Sequence, residues 1–327
     1  MPMKKTINGK VVCILVAVAV ISLVLISLAL WEGHRNELPS DHTQQEGILE
    51  YQGNEYVLKD GIETYLVMGL DTFSDNSVSD SYNNNQQADF IMLFVVDNND
   101  EKITVLHINR DTMADVNILG LNGNKVDTVK KQIALAHTYG HGGDISCRNT
   151  AEALSSLLMN VKINHYFSLH MDAVPQLNDL VGGVTVEVLE DFSALDHSLV
   201  KGQTVTLRGE QALTYVRGRQ GIGDSSNISR MKRQKQYVAA LRHQALQCME
   251  SDQDFILDAA LQLEDYFVSD RSVTQMQQLA DKFVAYDLVE KDMLEGKSQV
   301  GPEFMEFYLD EEFVKKTVVD LFYKLKA

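Results

Sequence analysis

Two short segments of the chain concentrate arginine residues that could bind an anion. Tyr215-Val216-Arg217-Gly218-Arg219 contains two arginines, and Arg230-Met231-Lys232-Arg233-Gln234 contains two more beyond a glycine-containing loop. The whole chain, in contrast, carries a formal net charge of -17. A guanidinium donates paired hydrogen bonds to phosphate oxygens and keeps its charge at any physiological pH. This local reversal of charge therefore predicts a phosphate ester as the ligand.

The second segment lies in a predicted amphipathic helix from about Asn227 to Met249. Its buried stripe consists of apolar residues at helical spacing, namely Met231, Val238, Leu241 and Ala245. At about 100° per residue, Arg230 and Gln234 lie on the same side as that stripe and should point inward. A buried arginine needs a carboxylate or a bound anion. The pattern thus predicts either a phosphate site or a structural Arg-Asp network that could include Asp224.

Two carboxylates lie beside predicted buried strands. The apolar run that begins at Tyr65 ends in Asp71, and the run Phe90 to Val96 starts just after Asp89. No basic residue occurs between Lys59 and Lys102, so a divalent metal could supply the missing positive charge. Oxygen ligands from one or two carboxylates plus substrate phosphates suit Mg²⁺, with Mn²⁺ as a substitute. The sequence therefore predicts a metal site at Asp71 and Asp89.

A third predicted strand, Ile103 to Ile108, leads into Asn109-Arg110-Asp111-Thr112. Arg110 is a further candidate phosphate contact at this strand exit. Later strands at Ile163 to Leu169 and Val184 to Val188 surround a predicted helix near Asp172 to Leu180. Alternating strands and helices indicate a layered α/β domain.

The N-terminus predicts a membrane anchor. Lys4, Lys5 and Lys10 precede an uncharged apolar run from Val11 to Leu30, which has the length of a membrane-spanning helix. A signal peptide cleaved near Ala29 is the competing interpretation. The predicted organisation is a cytoplasmic tail at 1–10, an anchor at 11–30, an extracytoplasmic spacer at 31–60, an α/β catalytic domain at 61–250, and an acidic helical C-terminal extension at 251–327.

Other chemistries are disfavoured by composition and spacing. Outside the anchor only Cys147 and Cys248 could pair, so no disulfide framework is encoded. His137, His141 and His165 are too irregularly spaced for a zinc motif. An isoelectric point near 4.9 and the predicted extracytoplasmic location oppose a nucleic-acid partner.

From Glu63 to Leu246 the chain resembles the LytR-CpsA-Psr cell-wall ligases of bacteria. The resemblance rests on motifs that occur in the family's order: Gly69-Leu70-Asp71, Ala88-Asp89-Phe90-Ile91-Met92, Ile108-Asn109-Arg110-Asp111-Thr112, Val181-Gly182-Gly183-Val184, Gly209-Glu210-Gln211-Ala212-Leu213, Tyr215 to Arg219 and Arg230 to Gln234. Asn109 departs from the family's usual proline, and Phe90 from a common threonine or serine. A different turn before Arg110 is therefore expected.

The resemblance implies a transferase that moves a glycopolymer, such as teichoic acid or capsule, from undecaprenyl pyrophosphate to a hydroxyl of N-acetylmuramic acid in peptidoglycan. It also implies a mixed central β-sheet flanked by helices in an α/β/α sandwich, with an apolar pocket for the prenyl chain. Carried over by motif, the residues that would grip the pyrophosphate are Arg110, Arg217, Arg219, Arg230 and Gln234.

The same resemblance implies that Asp71 and Asp89 help to hold Mg²⁺. The reaction also needs a base that removes the proton of the acceptor hydroxyl. Asp71, Asp89 and Asp111 could each accept the proton of that hydroxyl. A carboxylate that binds a metal tightly is a weak base, and the choice among the three stays open. Two other function classes also stay open. The arginines could serve a hydrolase that cleaves the lipid pyrophosphate with water, or a non-catalytic protein that binds a prenyl phosphate and regulates the envelope.

Overall fold

Strands and helices alternate along most of the chain. The computed structural model describes residues 48–72, 84–252, 255–283, 285–291, 293–302 and 304–326. Its strands are β1 (Leu49–Tyr51), β2 (Asn54–Leu58), β3 (Ile62–Thr72), β4 (Gln86–Asp97), β5 (Lys102–Ile108), β6 (Met113–Leu119), β7 (Lys125–Gln132), β8 (His165–His170), β9 (Val184–Glu187), β10 (Thr204–Leu207), β11 (Phe267–Ser269), β12 (Asp287–Glu290), β13 (Gly296–Val300), β14 (Met305–Leu309) and β15 (Tyr323–Leu325). Its α-helices are α1 (Asp144–Leu157), α2 (Val174–Leu180), α3 (Glu210–Arg217), α4 (Asn227–Ser251), α5 (Phe255–Leu263), α6 (Val273–Phe283) and α7 (Glu311–Phe322). Short 3₁₀ helices occur at Ile133–Thr138, Met171–Ala173 and Glu264–Tyr266.

The central sheet has six strands in the order β11-β8-β3-β4-β5-β12. β4 pairs antiparallel with β3 on one side and with β5 on the other. Nearly all residues of β4 and β5 are buried, which explains why these segments are almost continuously apolar in the sequence. The prediction of a mixed sheet flanked by helices is confirmed.

The hydrophobic core lies against β3, β4 and β5. Helix α1, the hairpin β6–β7, the 3₁₀ helix Ile133–Thr138 and helix α7 supply the other side chains of the cluster. Its fully buried members include Leu66, Met68, Leu93, Leu106, Leu154 and Val318. This packing fixes the strand ends from which the predicted site residues project.

The described residues divide into two compact units. One contains residues up to Ser168 together with Val268–Asp270 and the residues from Val289 onward. The other contains Leu169–Phe267 and Arg271–Leu288. Within the second unit, α3 and α4 follow the antiparallel hairpin β9–β10.

The predicted spacer at 31–60 is wrong for its last part, because residues there form strands. β1 pairs antiparallel with β2, and β2 also pairs antiparallel with β15 near the C-terminus. The Lys59 amide donates to the Phe322 carbonyl at 2.8 Å. A pairing partner from the opposite end of the chain leaves no local period in the sequence, so the strand signal was missed.

The prediction of a helical C-terminal extension at 251–327 is also wrong. Helices α5, α6 and α7 occur there, but so do five strands, and two of these, β11 and β12, form the edges of the central sheet. These strands are three to five residues long. Segments that short are stabilised by pairing with strands already present, so hydrophobic periodicity could not reveal them.

The predicted anchor from Val11 to Leu30 lies outside the described residues. Across the residues that are described, none of the helices combines the length and apolar character needed to cross a bilayer.

Candidate active site

Arg110 projects from a tight turn at the end of β5. The Thr112 amide donates to the Asn109 carbonyl at 3.0 Å, and the Asp111 amide donates to the Asn109 side-chain oxygen at 3.0 Å. Asparagine side chains commonly close turns in this way. Asn109 thus builds, with its own side chain, the turn that presents Arg110 and Asp111.

The Arg110 guanidinium binds two acidic side chains and one amide. It forms an ion pair with Asp89 on β4, donates to Gln87 Oε1 at 2.8 Å, and its Nε lies 3.3 Å from Asp111 Oδ1. The Arg110 side chain is only 14% exposed and that of Asp89 only 8%. The three charged side chains form a compact, largely dehydrated cluster, which we call the Arg110 cluster.

A β-bulge places Asp89 in this cluster. In the β3–β4 ladder Gly69 opposes Phe90 and Leu70 opposes Ala88, so Asp89 is the extra residue of β4. A bulge redirects the side chain at that position and is frequent next to active sites. The predicted strand began after Asp89, whereas β4 contains it.

The C-terminal hairpin β13–β14 contacts Asp111 directly. The Phe307 amide donates to the Asp111 carbonyl at 2.9 Å. The Gln132 amide nitrogen lies 3.1 Å from Asp111 Oδ1 and 2.6 Å from the Met305 carbonyl oxygen. Sequence reasoning missed Gln132 and this hairpin, and no local signal could have identified them, since they reach Asp111 only through the fold.

The Arg110 cluster has the oxygen ligands that Mg²⁺ prefers. It carries two carboxylates for one guanidinium, and Asp71 lies directly opposite Gln87 on the neighbouring strand. Within the described part of the chain, however, no group of three or more His, Cys, Asp or Glu side chains could hold a metal. Mg²⁺ often binds one or two carboxylates together with substrate phosphates. A magnesium ion held by Asp71 and Asp89 together with a phosphate ligand stays a prediction.

The inference that Asp89 lacks a nearby cation is wrong. Arg110 follows Asp89 by 21 positions in sequence but pairs with it in the structure. The register of β4 against β5, in which Ile91 opposes Ile108, brings the two residues to the same end of the sheet.

The other predicted phosphate-binding residues lie in the second unit, on α3, on α4 and in the loop between them. Arg217 is exposed in the last turn of α3, and Arg219 follows in the loop. Arg230 is 4% exposed and Gln234 is 2% exposed, which confirms that both point inward from α4. Arg230 donates to Asn227 Oδ1 through Nη2 at 2.7 Å.

The two polar side-chain atoms of Gln234 differ in their hydrogen bonding. Its nitrogen donates to the Val216 carbonyl at 3.2 Å. Its Oε1 is buried and has no hydrogen-bond partner among the described residues. A buried oxygen without a partner is costly, so this atom is a candidate contact for a bound group that carries a donor.

The family model for the LytR_cpsA_psr family matches residues 33–320, which is most of the chain. The chain belongs to the LytR_cpsA_psr family. Arg110, Arg217, Arg219, Arg230 and Gln234 all lie within the matched range of this family member.

Relatives of this LytR_cpsA_psr protein include two proteins named polyisoprenyl-teichoic acid–peptidoglycan teichoic acid transferase TagU. The one from Enterococcus faecalis is 29% identical over 233 residues, which is 71% of this chain and 69% of that protein. The one from Halalkalibacterium halodurans is 29% identical over 182 residues, and the match spans about half of its length, 53%. Among solved structures, TagT bound to LIIa-WTA matches with a TM-score of 0.59 at 18% identity, covering 90% of this chain and 97% of that one. That structural likeness shows a shared fold.

Cys147 and His137 of this family member are buried, and burial favours the uncharged form of each side chain. Cys147 and Cys248 are free thiols, and burial raises the pKa of Cys147 to about 12. His137 is buried in a 3₁₀ helix, where burial lowers its pKa to about 4 and a hydrogen bond with the Gln86 carbonyl opposes the shift. Both side chains are therefore uncharged core residues near neutral pH.

Proposed function

We propose that this protein transfers a glycopolymer from an undecaprenyl pyrophosphate carrier to a hydroxyl of N-acetylmuramic acid in peptidoglycan. The observation that carries the proposal is the Arg110 cluster, in which a guanidinium and two carboxylates converge at the end of the sheet in a member of a family with relatives named as teichoic acid transferases. Guanidinium groups suit the pyrophosphate, and carboxylates suit a metal or a proton.

In the proposed reaction the acceptor oxygen attacks the phosphorus that carries the glycan. An oxygen–phosphorus bond to the acceptor forms, the bridging bond of the pyrophosphate breaks, and undecaprenyl phosphate leaves with the bonding electron pair. Arg110 would contribute positive charge toward phosphate oxygens, and the family's motifs also assign Arg217, Arg219 and Arg230 to the pyrophosphate. Donors placed where negative charge develops are often the largest single contribution to catalysis.

The acceptor hydroxyl must lose its proton in this step. Asp71, Asp89 and Asp111 are the candidate bases, and Asp89 and Asp111 already face the Arg110 guanidinium. Asp71 and Asp89 would hold Mg²⁺ together with the substrate phosphates, and the bound ion would neutralise phosphate charge. Exchanging each aspartate for asparagine and recording the pH profile of transfer would identify the base, since only the base variant loses the acidic limb.

The apolar carrier suggests where this reaction takes place. We place it at the outer face of the cell membrane, with the segment from Val11 to Leu30 as a single-pass anchor and the N-terminus in the cytoplasm. An apolar pocket for the prenyl chain would gain about 0.8 kcal/mol for each buried methylene group.

The test uses the full chain in non-ionic detergent with a prenyl-pyrophosphate saccharide, Mg²⁺ and peptidoglycan fragments, and follows the products by mass spectrometry. Glycan joined to the peptidoglycan fragment is the expected result, and Asp89→Asn should slow its formation. Free prenyl phosphate without a conjugate would instead indicate a hydrolase. Tight binding that depends on Arg217 but gives no turnover would indicate a regulatory lipid-binding protein.

A further inference from the structure

Arg233 lies at the centre of a buried hydrogen-bond network on α4. Its side chain is 1% exposed, and its Nε lies 2.8 Å from Glu190 Oε2. The two terminal nitrogens donate to the main-chain carbonyls of Tyr215 and Gly218, and the guanidinium lies over the Phe192 ring at 4.9 Å. Burial lowers the pKa of the Arg233 guanidinium, while the Glu190 carboxylate opposes that shift.

The two carbonyls that Arg233 binds lie on either side of Arg217. Because α3 ends at Arg217, the Tyr215 carbonyl belongs to a last helical turn whose acceptors lack partners within the helix. Arginine side chains can satisfy such carbonyls. The Gly218 carbonyl belongs to the peptide bond that leads into Arg219. One guanidinium therefore fixes the backbone from which Arg217 and Arg219 both project.

Packing at Gly218 leaves this turn little freedom. A Cβ atom at Gly218 would lie 2.9 Å from Phe192 Cε1 and 2.9 Å from the Thr214 carbonyl oxygen. The Phe192 ring is held in turn beneath the Arg233 guanidinium. Gly218, between Arg217 and Arg219, is thus packed against Phe192, while its carbonyl accepts a hydrogen bond from Arg233.

Glu190 extends the network to the first turn of α4. The Ser229 hydroxyl donates to Glu190, and the Ser229 amide donates to Ser226, the residue that caps the helix. Arg230 follows Ser229 directly. The Glu190 carboxylate consequently links the start of α4, where Arg230 lies, to Arg233 one turn further along.

We propose that Arg233 and Glu190 form a positioning pair that holds Arg217 and Arg219 in the geometry needed to bind a pyrophosphate. The inference rests on the proposed function, because it takes Arg217 and Arg219 as phosphate contacts. Lysine cannot replace Arg233, since a single ammonium lacks the planar fork that reaches one carboxylate and two carbonyls together. Arg233 acts through its neighbours and does not touch the substrate.

A double-mutant cycle on farnesyl pyrophosphate binding tests this role. Dissociation constants are measured by calorimetry for the full chain in detergent, comparing Arg217→Ala in the wild-type and Arg233→Lys backgrounds. In the wild type, losing Arg217 should weaken binding roughly 10- to 100-fold. In the Arg233→Lys background Arg217→Ala should raise the dissociation constant by less than about threefold, because Arg217 is already displaced. Equal losses in both backgrounds would overturn the proposal, since a purely structural role for Arg233 predicts independent effects.

Two further variants distinguish the positioning role of Arg233 from a general effect of positive charge and from a failure to fold. Lys232→Met removes a positive charge from an exposed neighbour on α4, and the full effect of Arg217→Ala should persist in that background. If circular dichroism shows that Arg233→Lys does not fold, Glu190→Gln replaces it in the cycle with the same expected coupling. Binding that shows the coupling without glycan transfer would refute only the proposed transfer. Transfer without coupling would refute only the positioning pair, and no binding by the wild type would refute the pyrophosphate site and the pair together.

Discussion

Replacing Arg110 by methionine should destabilise the unit that contains the central sheet, because it leaves the buried Asp89 carboxylate without its cation. Removing one partner of a buried ion pair costs about 3 to 5 kcal/mol. The Arg110 side chain retains 14% exposure, so some water can reach the carboxylates and the lower end, about 3 kcal/mol, is expected. A second carboxylate, Asp111, lies 3.3 Å from the same guanidinium and adds repulsion once the cation is gone.

The partner variant makes this prediction specific. Asp89→Asn removes the carboxylate charge that Arg110→Met leaves without its cation. The loss of unfolding free energy in the double variant should therefore be about 1 to 3 kcal/mol smaller than the sum of the losses in the two single variants. Free energies of unfolding would be obtained from urea titrations followed by far-UV circular dichroism on the full chain in detergent. Lys130→Met is the matched control, because its ion pair with Asp115 is exposed and should contribute at most about 1 kcal/mol. Additive effects of the Arg110 and Asp89 variants, or an Arg110→Met loss no larger than that of the control, would refute the buried ion pair as a stabilising unit.

Two further predictions concern the surroundings of the cluster. Burial lowers the pKa of His137 from its ordinary value of 6.5 to about 4, so the unfolded chain binds the proton more readily than the folded chain does. The neutral imidazole's contribution to stability is therefore complete above pH 6.5. About 3 kcal/mol should be lost as the pH falls from 6.5 to 4, and His137→Gln should flatten that part of the curve of unfolding free energy against pH. Gln132→Leu removes the amide shared by Asp111 and the Met305 carbonyl and should cost about 1 to 3 kcal/mol. A lower rate of glycan transfer by the folded Gln132→Leu variant would show that the hairpin positions Asp111, whereas an unchanged rate would limit Gln132 to stability.

Several elements could be predicted because their signal is local. Strands β3, β4 and β5 are long and largely buried, so each leaves a mostly apolar run in the sequence. Helix α4 shows its inward face by period alone, and the burial of Arg230 and Gln234 follows from that period. The roles of these two residues in binding pyrophosphate stay predictions.

Other features were missed because they depend on pairing between distant segments. The buried ion pair on α4 joins Arg233 to Glu190, whereas Asp224, the alternative partner considered for Arg230, accepts from the Ser226 amide in its own loop. Glu190 lies 43 positions before Arg233, so nothing in the spacing of either residue indicates the contact.

The sequence by itself determined which residue types could meet a phosphate, which long segments are strands or helices, and, by its motifs, the family. These properties follow from side-chain chemistry and from periods of two and 3.6 residues, which act over a few neighbours. Only the tertiary structure decided that Asp89 sits in a bulge against Arg110, that the C-terminal strands complete the sheet, and that Arg233 binds the backbone around Arg217. Those contacts depend on strand register and long-range packing, whose free energies are realised only when remote parts of the chain meet.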